Sequence, residues 1–282
     1  MLQICALASG SSGNATVVSS GTTHLLVDAG ASAGLIVDRL ADLELAPPDL
    51  SGILVTHSHG DHYRSVGTLH ARFGVPVFVD PSTAAALRRK ARRTSWKRVT
   101  ETAPIPDLVG DIEVEALDTS HGDPQRDGRT VCFQFRHGRR RVAVVTDLGS
   151  YDDRLVGSLK GVDAILLEAN YEESVVRRKL SDRTHSFHWR HLRTALGPRG
   201  HLSNAQCGNL LYEILAGPWT RVLLGHLSEN HPDRELDNND FETARRTVED
   251  VFTKRGSSSP TIHRTWRTGR EPGRRSDLIV TS

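Results

Sequence analysis

One short segment, LVTHSHGDHYRSVG from Leu54 to Gly67, limits the fold of this chain more than any other part of the sequence. It begins in an apolar run that is typical of a buried strand. It then places four potential metal ligands within six residues: His57, His59, Asp61 and His62. Buried imidazoles without partners destabilise a protein, whereas a divalent metal ion binds the lone pairs of neutral imidazoles and carboxylates. The segment therefore predicts a metal site at the end of a strand.

The spacing within this motif predicts two neighbouring metal ions. His57 and His59 are two residues apart, so on an extended segment their side chains lie on the same side. Asp61 and His62 follow Gly60, where the chain can turn, and can serve a second ion. Zinc takes four or more ligands, so other side chains must contribute. Suitable residues follow three other apolar strands: His121 in DTSHGD, Asp147 in VVTDLG and His226 in LLGHLS.

The pattern of apolar residues predicts an α/β (α+β) fold. Strands are expected at both ends of the loop GSSGN, at THLLVDAG and at several later runs: IEVEALDTSH, TVCFQFRHG, RRVAVVTDLG, VDAILLEAN and, as the last clear strand, TRVLLGHLS. Helices are expected at SAGLIVDRLADLEL, RSVGTLHARFG, PSTAAALRRKARR and DNNDFETARRTVEDVF, and Ser203 and Gln206 have the spacing of a capping box that begins another. This alternation of hairpins and helices favours two sheets with helices outside over an all-parallel sheet.

Together with TSH, TDLG and GHLS, the THSHGDH motif resembles the metallo-β-lactamase superfamily. The resemblance implies an αββα four-layer sandwich, in which two mixed β-sheets flanked by helices carry a dinuclear metal site at one edge. LASGSSGN, LLVDAG and RGHLSNAQCGNLL narrow the match, because they resemble the WalJ (YycJ) family, a branch near the tRNA 3′-processing endonuclease. The resemblance covers about residues 1–252, which are expected to form one metallohydrolase domain. Residues 253–282 are expected to be a basic extension, either flexible or irregularly packed.

The same resemblance implies a role for each ligand. The implied set is His57, His59 and His121 for the first ion, Asp61, His62 and His226 for the second, and Asp147 as the bridge. The set holds no thiolate and suits two divalent ions, Zn²⁺ or Mn²⁺. Asp28 in LLVDAG is similar to a residue that supports a metal ligand, with a turn or capping aspartate as an equal alternative.

Two metal ions about 3.5–4 Å apart would share a hydroxide, because binding lowers the pKa of water to about 7. This hydroxide would attack phosphorus or a carbonyl carbon, and Asp61 would also orient it. For a phosphodiester, His201 in RGHLSN would donate the proton that the leaving alkoxide needs, and Glu168 in LLEAN would orient His201. The Ser/Gly loop could contact a phosphate oxygen through Ser11, Ser12 and Asn14. A tight connection explains that loop equally well.

The distribution of charge bears on the substrate. The formal net charge is only +2, but basic residues cluster in RRKARRTSWKR (Arg88–Arg98), RHGRRR (Arg136–Arg141), RRK (Arg177–Lys179) and GRRSD in the tail. Such clusters attract polyanions, although each one alone is also compatible with an ordinary solvated face. Beside a dinuclear site they favour nucleic acid as the partner, and the family implies DNA rather than RNA.

Three functions are compatible with these features. A nuclease, most simply a 5′–3′ exonuclease on DNA as the family implies, uses both the metals and the basic segments. A small-molecule metallohydrolase, such as a thioesterase, lactonase or cyclic phosphodiesterase, would leave the basic segments idle. The third is a non-catalytic protein with a structural metal. That function does not explain a full ligand set for two ions with room for water between them.

The sequence also predicts a location. No apolar run approaches the roughly 18–20 residues of a membrane span, and the start MLQICALASG does not resemble a signal peptide. Cys5, Cys132 and Cys207 are an odd number without close spacing and are expected to be reduced thiols. These features favour the cytoplasm and no membrane partner, and a homodimer stays open.

Overall fold

The computed structural model of the 282-residue chain describes residues 1–90, 95–181, 189–215, 217, 220–228, 238–266 and 279–281. Its strands are β1 (Leu2–Ala8), β2 (Ala15–Ser19), β3 (His24–Val27), β4 (Gly52–Val55), β5 (Val77–Val79), β6 (Leu108–Val109), β7 (Ile112–Asp118), β8 (Val131–His137), β9 (Arg140–Val145), β10 (Ala164–Glu168), β11 (Arg221–Gly225), β12 (Thr261–Arg264) and β13 (Ile279–Thr281). Its helices are α1 (Ala33–Ala41), α2 (Gly60–Tyr63), α3 (Val66–Phe73), α4 (Pro81–Lys90), α5 (Pro124–Asp127), α6 (Asp153–Leu159), α7 (Glu173–Ser181), α8 (Trp189–Ala195), α9 (Asn204–Ile214) and α10 (Phe241–Lys254). Short 3₁₀ turns cover Pro47–Asp49 and Ser95–Arg98.

The strands form two mixed sheets. The first has the order β13-β1-β2-β3-β4-β5, antiparallel from β13 to β3 and parallel from β3 to β5. The second has the order β12-β11-β10-β9-β8-β7-β6, parallel from β12 to β9 and antiparallel from β9 to β6. Each sheet therefore contains parallel strands whose carboxyl ends lie at one edge.

The sheets pack face to face because their central strands are apolar on both faces. In β4, Leu54 lies in the core between the sheets together with Phe133 of β8. The neighbouring residues Ile53 and Val55 instead pack against α1 and α3 on the outside. Strand β10 alternates in the same way, with Leu166 in the core between the sheets and its neighbours packed against α9 and α10. The predicted αββα sandwich of two mixed sheets flanked by helices is confirmed.

The carboxyl ends of the parallel strands carry the residues that the sequence marks as functional. His57 follows β4 by two residues, Asp147 follows β9 by two, and His226 directly follows β11. Glu168 is the last residue of β10, and Asp28 directly follows β3. Ligands commonly bind at the carboxyl ends of parallel strands, and in this fold two sheets contribute such ends to one edge.

Two local predictions have clear outcomes. The capping box at the start of α9 is confirmed, since Ser203 Oγ accepts from the Gln206 amide at 3.3 Å and Gln206 Oε1 accepts from the Ser203 amide at 2.9 Å. The prediction that TRVLLGHLS is the last strand is wrong. β12 pairs parallel with β11, and β13 pairs antiparallel with β1, so residues 261–264 and 279–281 extend the two sheets at one edge each.

Both of these strands lie in the segment expected to be a basic extension. Both strands are short, and neither has the long run of apolar residues that identifies a central strand. The boundary at residue 252 itself stays a prediction. Within the described residues, each helix is too short or too polar to cross a bilayer.

Candidate metal centre

His57, His59 and His121 meet at the edge where the carboxyl ends of the two sheets converge. Their ligand nitrogen atoms lie within 4.8 Å of one another. His59 Nδ1 lies 3.1 Å from His121 Nε2, and the rings of His57 and His59 are 4.6 Å apart. The structure thus brings together the three histidines that the sequence assigns to the first ion, from the loop after β4 and the loop after β7.

Asp61, His62 and His226 form a neighbouring group whose ligand atoms also lie within 4.8 Å of one another. Asp147 lies between the two groups. Its Oδ2 is 2.9 Å from His62 Nε2, and its Oδ1 is 3.5 Å from His121 Nε2 and 3.8 Å from His226 Nε2. One carboxylate therefore approaches histidines of both groups, which is the position that a bridging ligand requires.

Protein acceptors hold the other ring nitrogen of these histidines. The Nδ1 contacts are His57 with Thr56 Oγ1 at 3.0 Å, His62 with Asp28 Oδ2 at 2.6 Å, His121 with the Gly200 carbonyl at 2.6 Å, and His226 with Glu168 Oε2 at 2.7 Å. Metal-binding histidines usually donate one N–H to such an acceptor, which fixes the ring and its tautomer. In each of these four residues Nε2 is left to face the centre of the group.

The donor set fits divalent cations. The Nε2 atoms of His57 and His226 are buried and make no hydrogen bond to any described residue. Three carboxylates at the same edge, Asp28, Asp147 and Glu168, are buried as well. Buried lone pairs and buried negative charge both require a partner, and a metal ion supplies positive charge and vacant coordination positions together.

The electrostatics agree with this fit. Burial lowers the pKa of His57 well below its ordinary value, and the nearby His62 lowers it further, so His57 presents a neutral imidazole. Burial acts in the same direction on His62 and His226, but the carboxylates of Asp147 and its neighbours outweigh it. They raise the pKa of His226 to about 10. These carboxylates therefore favour positive charge on the two rings. A metal cation that displaced the ring protons would supply that charge.

The backbone is strained at three residues of this edge. Asp28, Asp147 and His226 have φ angles of 60°, 58° and 52°, in the left-handed region that residues other than glycine seldom adopt. Such conformations cost about 1–3 kcal/mol each and cluster at functional sites. Each of the three lies within two residues of the end of a strand, at the edge where the candidate ligands meet.

Comparison with known proteins identifies the family of this chain. Residues 23–209 match the family described as "Beta-lactamase superfamily domain". The chain is 31% identical over 257 residues to exodeoxyribonuclease YycJ of Bacillus anthracis, a match that covers 90% of each chain. The chain belongs to the metallo-β-lactamase superfamily and, within it, to the YycJ/WalJ family.

Further matches agree with this assignment. Exodeoxyribonuclease WalJ of Streptococcus pneumoniae is 32% identical over 236 residues, which cover 82% of this chain and 83% of WalJ. The crystal structure of the metallo-β-lactamase fold protein YhfI from Bacillus subtilis superposes with a TM-score of 0.67 at 16% identity, covering 99% of this chain and 98% of YhfI. The low identity to YhfI limits that comparison to the fold. A metallo-β-lactamase fold implies binding of divalent metal, and the clusters of histidine and aspartate are where it would occur.

In this YycJ/WalJ family member, Glu168 connects His201 with the second ligand group. The carboxylate is fully buried, and its Oε2 lies 2.9 Å from His201 Nδ1 and 2.7 Å from His226 Nδ1. Its oxygens also accept from the amides of Asp147, Leu148 and Leu202 at 3.2, 3.3 and 2.7 Å. Burial would raise the pKa of Glu168, but the charge and hydrogen bonds of His201 and then His226 lower it to about 2. Because its burial keeps it from contact with a substrate, Glu168 is expected to position His201 and His226 and not to react itself.

The predicted phosphate contacts in the Ser/Gly loop lie in different surroundings. Ser11 is exposed, and the Ser12 carbonyl accepts from Arg64 Nη1 at 3.0 Å. Asn14 is only 4% exposed; its Oδ1 accepts from the Gly10 amide at 2.9 Å, and its Nδ2 lies 3.0 Å from His62 Nε2. Asn14 thus fixes the loop against a ligand histidine. Contact of Ser11, Ser12 and Asn14 with a substrate stays a prediction.

A polar cluster beside His59 was not predicted from the sequence. Lys90 Nζ donates to Ser58 Oγ at 2.7 Å, to the Ser58 carbonyl at 3.2 Å and to Asp127 Oδ1. Asp127 Oδ2 lies 3.7 Å from His59 Nε2, the nitrogen that faces away from His121. No motif marks Asp127 or Lys90, since only the packing of α4 against α5 brings them beside the loop after β4.

Asp127→Asn is expected to weaken metal binding by the first ligand group about tenfold, at the low end of the 10–100-fold range for residues that support a ligand. The reason is that His59 loses the negative charge nearest its Nε2. The measurement is competition for Zn²⁺ with a chromophoric chelator. Asp118→Asn, which alters an exposed carboxylate at the end of β7, is the control and should leave the affinity unchanged. Equal affinities in the two variants would contradict the role assigned to Asp127.

Glu168→Gln is expected to weaken metal binding by the second ligand group 10–100-fold and to lower the free energy of unfolding by about 1–3 kcal/mol. An amide group cannot accept all the hydrogen bonds that the two carboxylate oxygens accept from rings and backbone amides. Chelator competition and denaturant unfolding measure the two effects. Glu115→Gln, at an exposed position of β7, is the control. Normal metal affinity and stability in Glu168→Gln would contradict the positioning role.

Proposed function

We propose that this metallo-β-lactamase fold hydrolase is a metal-dependent phosphodiesterase that acts on nucleic acid, as a 5′–3′ exonuclease on DNA. One observation carries the proposal: Asp147 lies between two groups of ligand atoms, while the ring of His201 is 4.9 Å from that of His121 and 5.1 Å from that of His226. Hydrolysis of a phosphodiester needs both a centre that activates water and an acid for the leaving alkoxide, and this edge offers residues for both.

The residues that would hold the metal ions are those predicted from the sequence. His57, His59 and His121 would bind one ion, Asp61, His62 and His226 the other, and Asp147 both. When bound, two divalent ions, Zn²⁺ or Mn²⁺, supply a water acidic enough to act as a nucleophile and neutralise charge on the phosphate. Asp61 Oδ2, which is 3.6 Å from the Nε2 atoms of both His62 and His226, is placed to orient that water.

His201 would act as the general acid. Its Nδ1 is held by Glu168, so its Nε2 is the nitrogen that can donate a proton to the leaving oxygen. The side chain is 22% exposed, and a substrate can therefore reach it, whereas the ligand histidines other than His59 are buried. General acid catalysis contributes about 10²–10⁴-fold to the rate.

Nucleic acid is favoured as the substrate by the relatives and by charge. YycJ of Bacillus anthracis and WalJ of Streptococcus pneumoniae, which each match more than four-fifths of this chain, are named exodeoxyribonucleases, which favours DNA over RNA. Lys90, which lies in the basic segment Arg88–Arg98 and ends α4, reaches Ser58 between the first two ligand histidines. A cytoplasmic location follows from such a substrate, and self-association into a homodimer stays a prediction.

The experiment is digestion of end-labelled single- and double-stranded DNA and RNA with the purified protein in Mn²⁺ or Zn²⁺. The expected result is stepwise release of nucleotides from the 5′ end of DNA. Turnover of thioesters, lactones or cyclic phosphodiesters without cleavage of any oligonucleotide would overturn the proposal in favour of a small-molecule hydrolase. A 3′-labelled substrate distinguishes the direction of digestion.

A further inference from the structure

A strongly basic surface lies beside the candidate metal centre. Between residues 81 and 100 the chain has seven lysines and arginines and no aspartate or glutamate. The described side chains that contribute to this surface, with one from α5, are exposed and are here called the basic face: Arg88, Arg89, Lys97, Arg98 and Arg126. A concentration of one charge on one surface is the electrostatic feature that attracts a polyanion.

Packing brings these residues from three elements together. Helix α4 packs against both α5 and the 3₁₀ turn Ser95–Arg98. Arg89 Nη2 lies 3.4 Å from the carbonyl of Arg126, which joins the end of α4 to α5. Trp96 is buried and anchors the 3₁₀ turn, and the next two residues, Lys97 and Arg98, are exposed. The face is thus a property of the fold and not of one helix alone.

The basic face differs from the basic β8–β9 hairpin in its ion pairing. No residue of the face forms an ion pair within the described part of the chain. In the β8–β9 hairpin, by contrast, Arg136 pairs with Glu113, and Arg140 pairs with Asp163 at 2.9 Å. Arg141 is held by the carbonyls of Lys160 and Ser158.

The basic face is continuous with the candidate metal centre, whereas the hairpin is not. Lys90, at the end of α4, bonds to Ser58 and Asp127, and Asp127 lies 3.7 Å from His59. The hairpin lies at the start of β9, and Asp147 lies beyond the other end of that strand. At about 3.3 Å per residue, the six residues of β9 separate the two by about 20 Å.

We propose that the basic face binds the phosphate backbone of the substrate strand on the nucleotides next to the one being cleaved. This inference rests on the proposed function, and it specifies which surface guides the polyanion to the metal centre. Because the contacts are to phosphates, they are independent of base sequence and weaken with salt. The hairpin arginines take no part in this binding.

The test is fluorescence anisotropy of a labelled single-stranded DNA over a range of salt concentrations, with Ca²⁺ in place of the catalytic metals. The double variant Arg98→Gln with Arg126→Gln removes two charges from the face. Its matched control, Arg136→Gln with Arg139→Gln, removes two charges from the hairpin, where Arg139 is exposed. Thermal unfolding and metal content verify that both variants are folded.

The expected result is weaker binding by the face variant, with a slope of log Kd against log salt that is smaller by about 1.4, since each phosphate contact on a single strand contributes about 0.7. The hairpin variant should bind as the wild type does. An unchanged slope in the face variant, or an equal decrease in both variants, would overturn the inference. Failure of the proposed function has a different signature: the wild-type protein would then cleave no oligonucleotide in the digestion assay, whatever its binding shows.

Discussion

Asp147→Ala is expected to lower the rate of phosphodiester hydrolysis by about 10³-fold or more, because several kcal/mol of transition-state stabilisation are attributed to the metal ions. Among the described residues, Asp147 is the one carboxylate that approaches histidines of both ligand groups, at 2.9 Å from His62 and 3.5 Å from His121. Its loss should therefore remove at least one ion and the fixed spacing between the two. The measurements are hydrolysis of a 5′-labelled oligonucleotide and the metal content of the variant.

The fold should survive this substitution. Asp147 has a strained backbone, with φ at 58°, and its charge is buried among other carboxylates, so its removal does not take away apolar packing. Asp153→Ala, an exposed position on α6, is the control for loss of a carboxylate. Near-full activity in Asp147→Ala would show that the bridge is assigned to the wrong residue.

His201→Ala is expected to slow cleavage of oligonucleotides by about 10²–10⁴-fold, the usual contribution of a general acid. The Nδ1 atom of the ring is held by Glu168, and although His201 lies near Asp147 and His226, it is not among the ligands assigned to either ion, so metal content should not change. The leaving group p-nitrophenolate departs without a proton, so a substrate that releases it does not need the acid. On that substrate the loss should be much smaller, and this comparison separates an acid from a merely structural residue.

A matched control is His137→Ala in the β8–β9 hairpin, where the ring lies 3.3 Å from Asp111 and far from the metal centre. This substitution should change neither the cleavage rate of the two substrates nor the metal content. If His201→Ala loses metal, or slows both substrates equally, then His201 serves the metal centre and is not the acid.

Sequence reasoning found the parts of the fold that have a strong local signal. The central strands β4, β9, β10 and β11 are continuous apolar runs that end in polar loops, and such runs are readily recognised. Strands β12 and β13 were missed because they are short edge strands, stabilised by pairing with β11 and β1 more than by their own composition. Helix α6, capped by Asp152, was missed because it is only seven residues long.

In the candidate site, too, residues with a strong local signal were predicted and the others were not. The ligands could be predicted because several of them share one motif and the others follow apolar strands. Asp28, which contacts His62, was suggested by the family resemblance. The other supporting residues could not be predicted, since they act through main-chain atoms or come from distant parts of the chain: the Gly200 carbonyl at His121, Asn170 at His226, and Asp127 with Lys90 at His59. Main-chain acceptors have no sequence signature. Side-chain supports such as Asp127 become recognisable only after packing has placed them.

The most direct test is to count and locate metal ions in protein reconstituted with excess Zn²⁺ or Mn²⁺. Elemental analysis by mass spectrometry gives the ratio of metal to chain, and anomalous diffraction gives the positions. We expect two ions per chain, one among His57, His59 and His121 and one among Asp61, His62 and His226, with Asp147 between them. A reconstituted protein without metal at these side chains, or with ions bound only elsewhere, would contradict the account.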